Sequence, residues 1–408
     1  MKIDVHLIID IGQTHIKYYL FDIANNILLK KKIFKNNCFR KYKKYHSFDI
    51  NKFKNNLYQY IYVCHYEYNI TKISSLSFGS TSFFVNEKND ILPNVTFNNF
   101  SNIKLDKEYF SMIPPYEETL TPIMSNFHNM GKQILLMSKI FNLNKNFNLL
   151  SLSNLPVYLL NYKVGVDKSY LACHSHLFNF KKYEISSLAK KIIPFDIKIK
   201  KCFSNAGFID PTLSFDLKIS NKIKISYGAH DTNASYYYHK KVFKKEIEVL
   251  CTGTWFVFLS EYVNKNFSKD DPDFFANYSI QNKKLLSYRF AGGLYFAKYL
   301  NKNTNYKNIN DIFNLNYSTI NLSLEKYYNN LKNNYKNTLK NIKNIEKEIV
   351  LNFILANKTN KNLDFLNSKK NIVVDGPFAS NKFFIFFLSL FRNKQKIFSY
   401  VGFNSGVE

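Results

Sequence analysis

The chain has 408 residues, and 57 lysine and arginine residues against 30 aspartate and glutamate residues give a formal net charge of +27. Hydrophobic residues make up 46% and aromatic residues 17% of the sequence, which excludes a disordered chain and is enough for two domains with separate cores. No apolar run reaches the roughly 18 residues that a transmembrane helix needs.

The N-terminal segment predicts a β-hairpin. An apolar strand beginning at Val5 leads into a polar turn at 10–14, and a second, alternating strand runs from Ile16 to Phe21. A second hairpin is predicted at 246–259, where the turn is Thr252-Gly253-Thr254. Two similar hairpins so far apart in the sequence indicate two related halves rather than a short repeat.

The other segments predict alternating strands and helices, which indicates an α/β fold. Strand-like segments are 73–85 with a polar break, 226–231 and 371–374. Helical spacing occurs at 129–141, 183–193, 232–239, 322–331 and 345–354 and from Asn381 onward, and 149–160 is apolar without a clear period.

The first turn carries residue types that suit a phosphate. Gly12 allows close backbone approach, and backbone N–H groups with the Thr14 hydroxyl can bind phosphate oxygens. Asp10 can hold Mg²⁺ through water, and Lys17 follows on the next strand. An ordinary hairpin turn explains the same residues. The turn at Thr252 repeats this chemistry without the carboxylate, and two such turns would clamp phosphates between them.

Two further segments carry candidate chemistry. In Gly228–Ala234, Asp231 precedes a predicted helix, where an aspartate is usually an N-cap but can also be a general base for a sugar hydroxyl. His230 would then bind the sugar or simply pack. In the segment 374–381, Gly376 lies in a turn between a strand and a helix. That turn suits close approach of adenosine or phosphate, or it is a simple connector.

The order and spacing of these segments resemble the FGGY carbohydrate kinases, which are members of the actin-like ATPase superfamily. The family opens with D-x-G-T-T-S-x-K, and the matching positions here are Asp10, Gly12, Thr14 and Lys17. Gln13 and His15 stand where the family has threonine and serine. The other similar segments are LACHSHLFNF (171–180), GAHDTNAS (228–235), LCTGTW (250–255), RFAGGLYF (289–296) and DGPFASNKFF (375–384).

The resemblance implies two ribonuclease-H-like α/β domains around a central cleft. A sugar-binding domain would occupy 1–225, and a nucleotide-binding domain, shortened at its C-terminus relative to the family, would occupy 226–408. The implied reaction is ATP-dependent phosphorylation of a ketose, with ATP and Mg²⁺ as cofactors. The His-Asp pair and the Gly-Gly segment are most similar to rhamnulokinase-like and fuculokinase-like members, so a 6-deoxyketose such as L-rhamnulose or L-fuculose is implied, and a pentulose stays open.

The resemblance also assigns roles to individual residues. Asp231 is implied as the catalytic base and Asp10 as the residue that positions Mg²⁺. The implied ATP and phosphate contacts are Gly12, Gln13, Thr14, Lys17, Gly253, Thr254, Gly376 and Asn381. The implied sugar contacts are Gly79, Ser80, Thr81, His230 and Asp231, with Asn129 a further candidate. A buried strand end with internally bonded hydroxyls is the alternative explanation of 77–83.

The segment Cys173–His176 contains a cysteine and two histidines. On a strand, Cys173 and Ser175 would lie on one face and His174 and His176 on the other. Two histidines without a third ligand nearby in sequence are poor evidence of a metal site, so we expect these side chains to pack.

The cysteines and the charge bear on location and partners. The five cysteines are scattered without a Cys-x-x-Cys motif, and Asp4 and Asp10 interrupt the N-terminal apolar stretch, so we expect reduced thiols in the cytoplasm and no signal peptide.

The only arginines are Arg40, Arg289 and Arg392. The lysine excess accompanies asparagine, isoleucine, phenylalanine and tyrosine, all encoded by A/T-rich codons, so genomic composition explains the charge.

We therefore expect a small-molecule sugar as partner, no nucleic acid and no membrane, and we leave a homodimer open. Two alternatives to a sugar kinase remain. A catalytically degenerate relative would bind nucleotide or sugar without transfer. A polyanion-binding protein would show binding that falls steeply with salt.

Overall fold

The computed structural model describes residues 2–97, 103–124, 127–262, 271, 273–299 and 344–400. The chain divides into two compact units, Met1–Tyr237 with Phe267–Leu286, and Tyr238–Asn266 with Ser287–Glu408. The domain limits expected from sequence, 1–225 and 226–408, stay a prediction. Among the described residues, no helix is both long enough and apolar enough to cross a bilayer.

The strands of the described residues are short to medium in length. They are β1 (Asp4–Ile11), β2 (His15–Asp22), β3 (Ile27–Lys35), β4 (Phe39–Tyr42), β5 (Tyr45–Phe48), β6 (Asn69–Ser77), β7 (Ser82–Val85), β8 (Asn148–Ser151), β9 (Val166–Asp167), β10 (Phe178–Asn179), β11 (Glu184–Ile185), β12 (Ile199–Lys200), β13 (Asn205–Phe208), β14 (Lys224–Ser226), β15 (Ala229–His230), β16 (Ile247–Thr252), β17 (Phe256–Ser260), β18 (Phe274–Tyr278), β19 (Lys284–Phe290), β20 (Asn371–Asp375) and β21 (Ile397–Tyr400).

The helices alternate with these strands. They are α1 (Ile50–Glu67), α2 (Ile103–Met112), α3 (Tyr116–Thr119), α4 (Met130–Phe141), α5 (Leu155–Asn161), α6 (Lys168–Leu171), α7 (Ser187–Ile192), α8 (Pro211–Asp216), α9 (Asp231–Phe243), α10 (Gly292–Tyr299), α11 (Asn344–Phe365) and α12 (Lys382–Phe391). Short 3₁₀ turns lie at Leu152–Asn154 and Pro377–Ala379.

The first unit is built on a mixed sheet in the order β13-β14-β6-β1-β2-β3, with β15 paired to the end of β6. The β1–β2 pair is antiparallel, and β6 runs parallel to β1. Strand β1 buries every second residue, Val5, Leu7, Ile9 and Ile11, because alternate side chains of a strand share one face. This alternation places Asp10 at the carboxyl end of β1, on the face opposite the apolar row.

The second unit repeats this core arrangement. Its strands β17, β16, β20 and β21 follow one another in that order in a sheet. Strand β16 pairs antiparallel with β17 and parallel with β20, as β1 does with β2 and β6. Phe256 anchors the core, with ring centroids 4.7 Å from Phe378 and 5.0 Å from Phe290. The prediction of two related halves, each opening with a hairpin, is confirmed.

Most elements predicted from periodicity are present. The segments 129–141, 232–239 and 345–354 lie in or form helices, and 371–374 lies in β20. The predicted helix at 183–193 is wrong in its first part, because residues 184–185 form β11 and the helix α7 begins only at Ser187. The Ser186 hydroxyl accepts from the Ala189 N–H and thereby caps the helix there. The predicted helix at 322–331 lies outside the described residues.

Candidate active site

The first turn joins β1 to β2. The Gly12 N–H donates to the His15 carbonyl (2.9 Å), which closes the hairpin. Asn36 holds the turn from outside, since its side-chain amide donates to the Gly12 carbonyl (2.7 Å) and its backbone N–H donates to the Thr14 carbonyl (2.8 Å). Gln13 is half-buried and Thr14 is exposed, so both side chains of the predicted phosphate turn are accessible.

Asp10 and Lys17 are register partners across this hairpin. The Lys17 Nζ lies 3.1 Å from the Asp10 carboxylate, and the two side chains are 24% and 13% exposed. The sequence predicted both residues for the site, and the antiparallel register explains why a spacing of seven places them side by side. The pair forms a partly buried ion pair at the end of β1.

Asp231 is the first residue of α9 and follows β15 directly. Its Oδ1 accepts from the Thr232 N–H (2.6 Å) and lies 3.2 Å from His230 Nδ1. Burial, and then the negative charge of Asp10, raise the pKa of Asp231 to about 7. Its side chain nevertheless stays 32% exposed, so a bound molecule can reach the carboxylate. Burial also lowers the pKa of His230 to about 4, so this ring is neutral at pH 7.

A buried network that sequence reasoning missed holds the backbone before Asp231. The His230 N–H donates to the Ser169 hydroxyl (3.1 Å), which donates to Asp167 Oδ1 (2.5 Å). Asp167 also accepts from the Ser153 hydroxyl (2.7 Å) and the Tyr170 N–H (2.9 Å), and it is fully buried. The sequence does not reveal this role, because Ser153 and His230 are distant from Asp167 in the chain, although Ser169 and Tyr170 are its near neighbours.

Replacing Asp167 by alanine is expected to lower the free energy of unfolding by about 1–3 kcal/mol, since it removes the acceptor of three buried donors. Urea unfolding followed by circular dichroism measures this. The matched control is Asp196→Ala at an exposed position, which we expect to be neutral. An Asp167→Ala protein as stable as the control would show that the network does not stabilise the unit.

The predicted sugar contacts at Ser80, Thr81 and Asn129 are bonded within the chain. The Ser80 hydroxyl donates to the His128 carbonyl (2.5 Å), and the Thr81 hydroxyl contacts the Thr96 hydroxyl (2.7 Å). The Asn129 amide donates to the carbonyls of Pro122 and His174, both at 3.1 Å. These bonds fit the alternative of a buried strand end, and direct sugar contact by these side chains stays a prediction.

Gly79 lies beside the His230 ring. A Cβ at Gly79 would lie 2.7 Å from His230 Nε2 and 3.5 Å from His174 Nε2. The absence of a side chain at residue 79 therefore lets both imidazole rings approach the end of β6. Of the predicted sugar contacts, Gly79, His230 and Asp231 adjoin one another in the first unit.

The prediction that Cys173–His176 alternates between two faces is wrong. Residues 173–176 form bends rather than a strand, and both His174 and His176 have positive φ. As a result Cys173 and His174 face one cluster with His230, in which the three candidate ligand atoms lie within 4.8 Å of one another. His176 is separate, and its ring bonds Tyr109 and the Thr121 carbonyl.

In the second unit, three glycine-containing segments meet. The turn after β16 closes with the Gly253 N–H donating to the Trp255 carbonyl (3.0 Å). A Cβ at Gly293, at the start of α10, would lie 2.0 Å from the Gly253 carbonyl oxygen. A Cβ at Gly376 would lie 1.9 Å from the Thr252 carbonyl oxygen, and Gly376 has φ +92°. Gly293 was not among the predicted site residues, although the Gly-Gly segment had been noted.

The turn after β20 is fixed by its neighbours. The Thr252 hydroxyl donates to the Asp375 carbonyl (2.6 Å) and accepts from the Phe378 N–H (3.1 Å). His239 Nε2 lies 3.2 Å from the Asp375 carboxylate. Asn381 caps α12, since its side chain accepts from the Phe384 N–H (3.1 Å). A nucleoside contact by Asn381 stays a prediction beside this structural role.

Residues 244–405 match the family described as carbohydrate kinase FGGY, C-terminal domain. The C-terminal part of the chain is therefore similar to this family. The matched region, called the FGGY domain, contains all three glycine segments of the second unit. No curated protein matches the chain.

Solved structures resemble the chain over nearly its whole length. A carbohydrate kinase from Novosphingobium aromaticivorans has a TM-score of 0.79 at 18% identity, covering 97% of this chain and 89% of that one. A ligand-bound xylulose kinase from Lactobacillus acidophilus and a Plasmodium falciparum glycerol kinase with ADP each have a TM-score of 0.69 at 14% identity, covering 95% of this chain and 84% of theirs. These likenesses show the fold, so the predicted two-domain actin-like ATPase fold is confirmed.

Two groups of residues are suited to Mg²⁺ and to the phosphates of ATP, the cofactors expected from the sequence. Asp10 is a partly exposed carboxylate at the end of β1, and carboxylate oxygens are the hard donors that Mg²⁺ prefers. The three glycine segments offer backbone without side chains, which suits close approach of phosphate oxygens.

Proposed function

We propose that the chain is an ATP-dependent carbohydrate kinase that phosphorylates a hydroxyl of a ketose. The main support is Asp231, an accessible carboxylate whose pKa is raised to about 7. The similarity of residues 244–405 to the FGGY carbohydrate kinases supports the same reaction. A general base works best when its pKa lies near the operating pH.

In the proposed reaction, the sugar binds in the first unit beside Gly79 and His230. Asp231 accepts the proton of the attacking hydroxyl as the new bond from oxygen to the γ-phosphorus forms and the bond to the β-phosphate oxygen of ATP breaks, releasing ADP. His230 is neutral, and its Nδ1 lies 3.2 Å from the Asp231 carboxylate. The ring therefore orients the base by a hydrogen bond without adding a positive charge that would lower the pKa of the base.

ATP is proposed to bind the surface formed by Gly253, Gly293 and Gly376 in the FGGY domain. Gly253 and Thr254 would hold phosphate oxygens, and Gly376 would allow close approach of the nucleoside. Asp10 would hold Mg²⁺ in the first unit, and the bound ion would supply charge neutralisation for the transferred phosphoryl group. Lys17 beside Asp10 adds a fixed positive charge at the same strand end.

The substrate class is proposed to be a 6-deoxyketose such as L-rhamnulose or L-fuculose, or a pentulose. The test measures ADP release with ATP and Mg²⁺ over a panel of L-rhamnulose, L-fuculose, xylulose, ribulose and glycerol. We expect one ketose to be turned over at least tenfold faster than glycerol.

The controls omit Mg²⁺ or sugar, and nucleotide binding is measured separately. If no sugar of the panel caused ADP release while ATP binding was normal, the kinase proposal would be overturned in favour of a catalytically degenerate relative. Turnover of glycerol alone would leave a kinase but contradict the ketose class.

A further inference from the structure

We propose that Cys173, His174 and His230 form a binding site for one thiophilic divalent cation, with Zn²⁺ the best fit. The thiolate and the two imidazole nitrogens would be three ligands, and a water would take the fourth position. This site is separate from the one proposed for Mg²⁺ at Asp10, because its donors are sulfur and nitrogen instead of carboxylate oxygen.

The distances suit tetrahedral coordination. Zn–S and Zn–N bonds of about 2.3 and 2.0–2.1 Å place neighbouring ligand atoms about 3.3–3.6 Å apart. Cys173 Sγ already lies 3.4 Å from His230 Nε2, and all three ligand atoms lie within 4.8 Å of one another. The distances that involve His174 are at most 4.8 Å, so they need to shorten by no more than about 1.5 Å to close the set.

Hydrogen bonds fix the tautomer of His174 in the form that binds a metal. The Ser80 hydroxyl donates its proton to the His128 carbonyl, so the Ser80 oxygen accepts from His174 Nδ1 at 2.8 Å. The His128 carbonyl, which can only accept, is also 3.1 Å from His174 Nδ1. The proton therefore resides on Nδ1, and the lone pair is on Nε2, the atom that faces Gly79.

His230 has the same arrangement. Its Nδ1 lies 3.2 Å from the Asp231 carboxylate, which accepts when ionised, and 2.9 Å from the Thr232 hydroxyl. The lone pair is thus on Nε2, directed at Cys173. Metal-binding histidines commonly donate their second ring N–H to a carboxylate or a backbone carbonyl. Here the partner of His230 is the Asp231 carboxylate, and the partner of His174 is the His128 carbonyl.

Burial and donor type decide which cation fits. Cys173, His174 and His230 are 2%, 8% and 5% exposed. One thiolate with two imidazoles favours Zn²⁺ and Co²⁺ over Mg²⁺ and Ca²⁺, which prefer oxygen. The left-handed backbone of His174, with φ 39°, is what brings this residue and its neighbour Cys173 to the same side.

Occupancy of this site would affect the reaction, and this step rests on the proposed function. A cation on His230 Nε2 makes the Nδ1–H a stronger donor to Asp231. The ion would also lie where the sugar is proposed to bind, beside Gly79 and His230. We therefore expect Zn²⁺ to inhibit ADP release in proportion to its occupancy of the site.

The test titrates chelator-treated protein with Co²⁺ and follows the thiolate-to-cobalt charge-transfer band. We expect one equivalent to bind, Zn²⁺ to displace it, and excess Mg²⁺ to leave it in place. Cys173→Ser should abolish the band, while the matched control Cys38→Ser, at another buried cysteine, should keep it. Absence of the band in the unaltered protein, or its retention in Cys173→Ser, would overturn the proposal.

Gly79→Ala gives a second test that keeps all three ligands. Its Cβ would lie 2.7 Å from His230 Nε2 and should weaken Co²⁺ binding at least tenfold. Unchanged affinity in this variant would contradict the assignment of His230 Nε2. The spectroscopic test does not depend on catalysis, so a protein that binds Co²⁺ but turns over no sugar refutes only the kinase proposal. Zn²⁺ binding without inhibition refutes the expected effect of the ion on the reaction.

Discussion

Replacing Asp231 by asparagine is expected to lower kcat for ADP release by about 10²–10⁴-fold, the usual contribution of a general base. Asparagine keeps the side-chain oxygen that accepts from the Thr232 N–H, and this oxygen can also accept from His230 Nδ1. What the variant loses is the ability to take the proton of the sugar hydroxyl. ATP affinity should stay within twofold of the unaltered protein, because the proposed nucleotide surface lies in the FGGY domain.

The stability of this variant is informative as well. Burial and the charge of Asp10 both oppose ionisation of Asp231, so removing the charge should leave the melting temperature equal or slightly higher. The matched control is Asp216→Asn, which changes an exposed aspartate of the same unit and should leave kcat unchanged. Near-normal turnover in Asp231→Asn would refute the proposed base, whereas loss of turnover together with unfolding would show only a structural role.

The core of each half was predictable because it rests on local patterns. Strand β1 alternates buried and exposed residues, and the turns at Gly12 and Gly253 carry their own chemical signals. The pairing of β1 with β6, and of β16 with β20, was not predicted, because these strands are distant in the sequence and no local pattern specifies their partners. The helix α7 was predicted, but β11 and the position where α7 begins were not, because capping by Ser186, not periodicity, decides where the helix begins.

The candidate site was predictable where one motif supplies neighbouring groups, as in the pair His230 and Asp231. It was not predictable where side chains from distant segments meet. Asp167 supports the backbone of His230 through Ser169, and Cys173 approaches His230 only because the chain at His174 adopts a left-handed conformation. A strand-like sequence of alternating residues gave no sign of that bend, so the cluster was missed.

The second large effect is expected from Gly376→Ala in the FGGY domain. Its Cβ would lie 1.9 Å from the Thr252 carbonyl oxygen, and φ is +92°, a conformation that residues with a side chain rarely adopt. To relieve the clash, the turn must move from Thr252 and lose the bonds that Thr252 makes to Asp375 and Phe378. We expect a loss of about 2–4 kcal/mol in unfolding free energy and at least a tenfold weaker ATP affinity.

The control for backbone strain is Gly207→Ala in the first unit. Gly207 has φ +104°, but the nearest atom to its added Cβ is Asn161 Nδ2 at 3.9 Å. This variant should show the cost of the backbone conformation alone, with ATP affinity unchanged. Equal effects of Gly207→Ala and Gly376→Ala on stability would mean that the contact with Thr252 contributes nothing.

Gly253→Ala separates nucleotide binding from folding in the same domain. Its added Cβ would meet only the Trp255 carbonyl oxygen, at an ordinary contact distance of 3.8 Å, so stability should change by less than about 1 kcal/mol. If phosphate oxygens approach this turn as proposed, the same methyl group must lower ATP affinity, measured by titration calorimetry. A Gly253→Ala protein that binds ATP normally would remove this turn from the nucleotide site. The result for Gly376→Ala would not change that conclusion, because a Cβ at Gly376 clashes with Thr252 and can lower ATP affinity by distorting the fold.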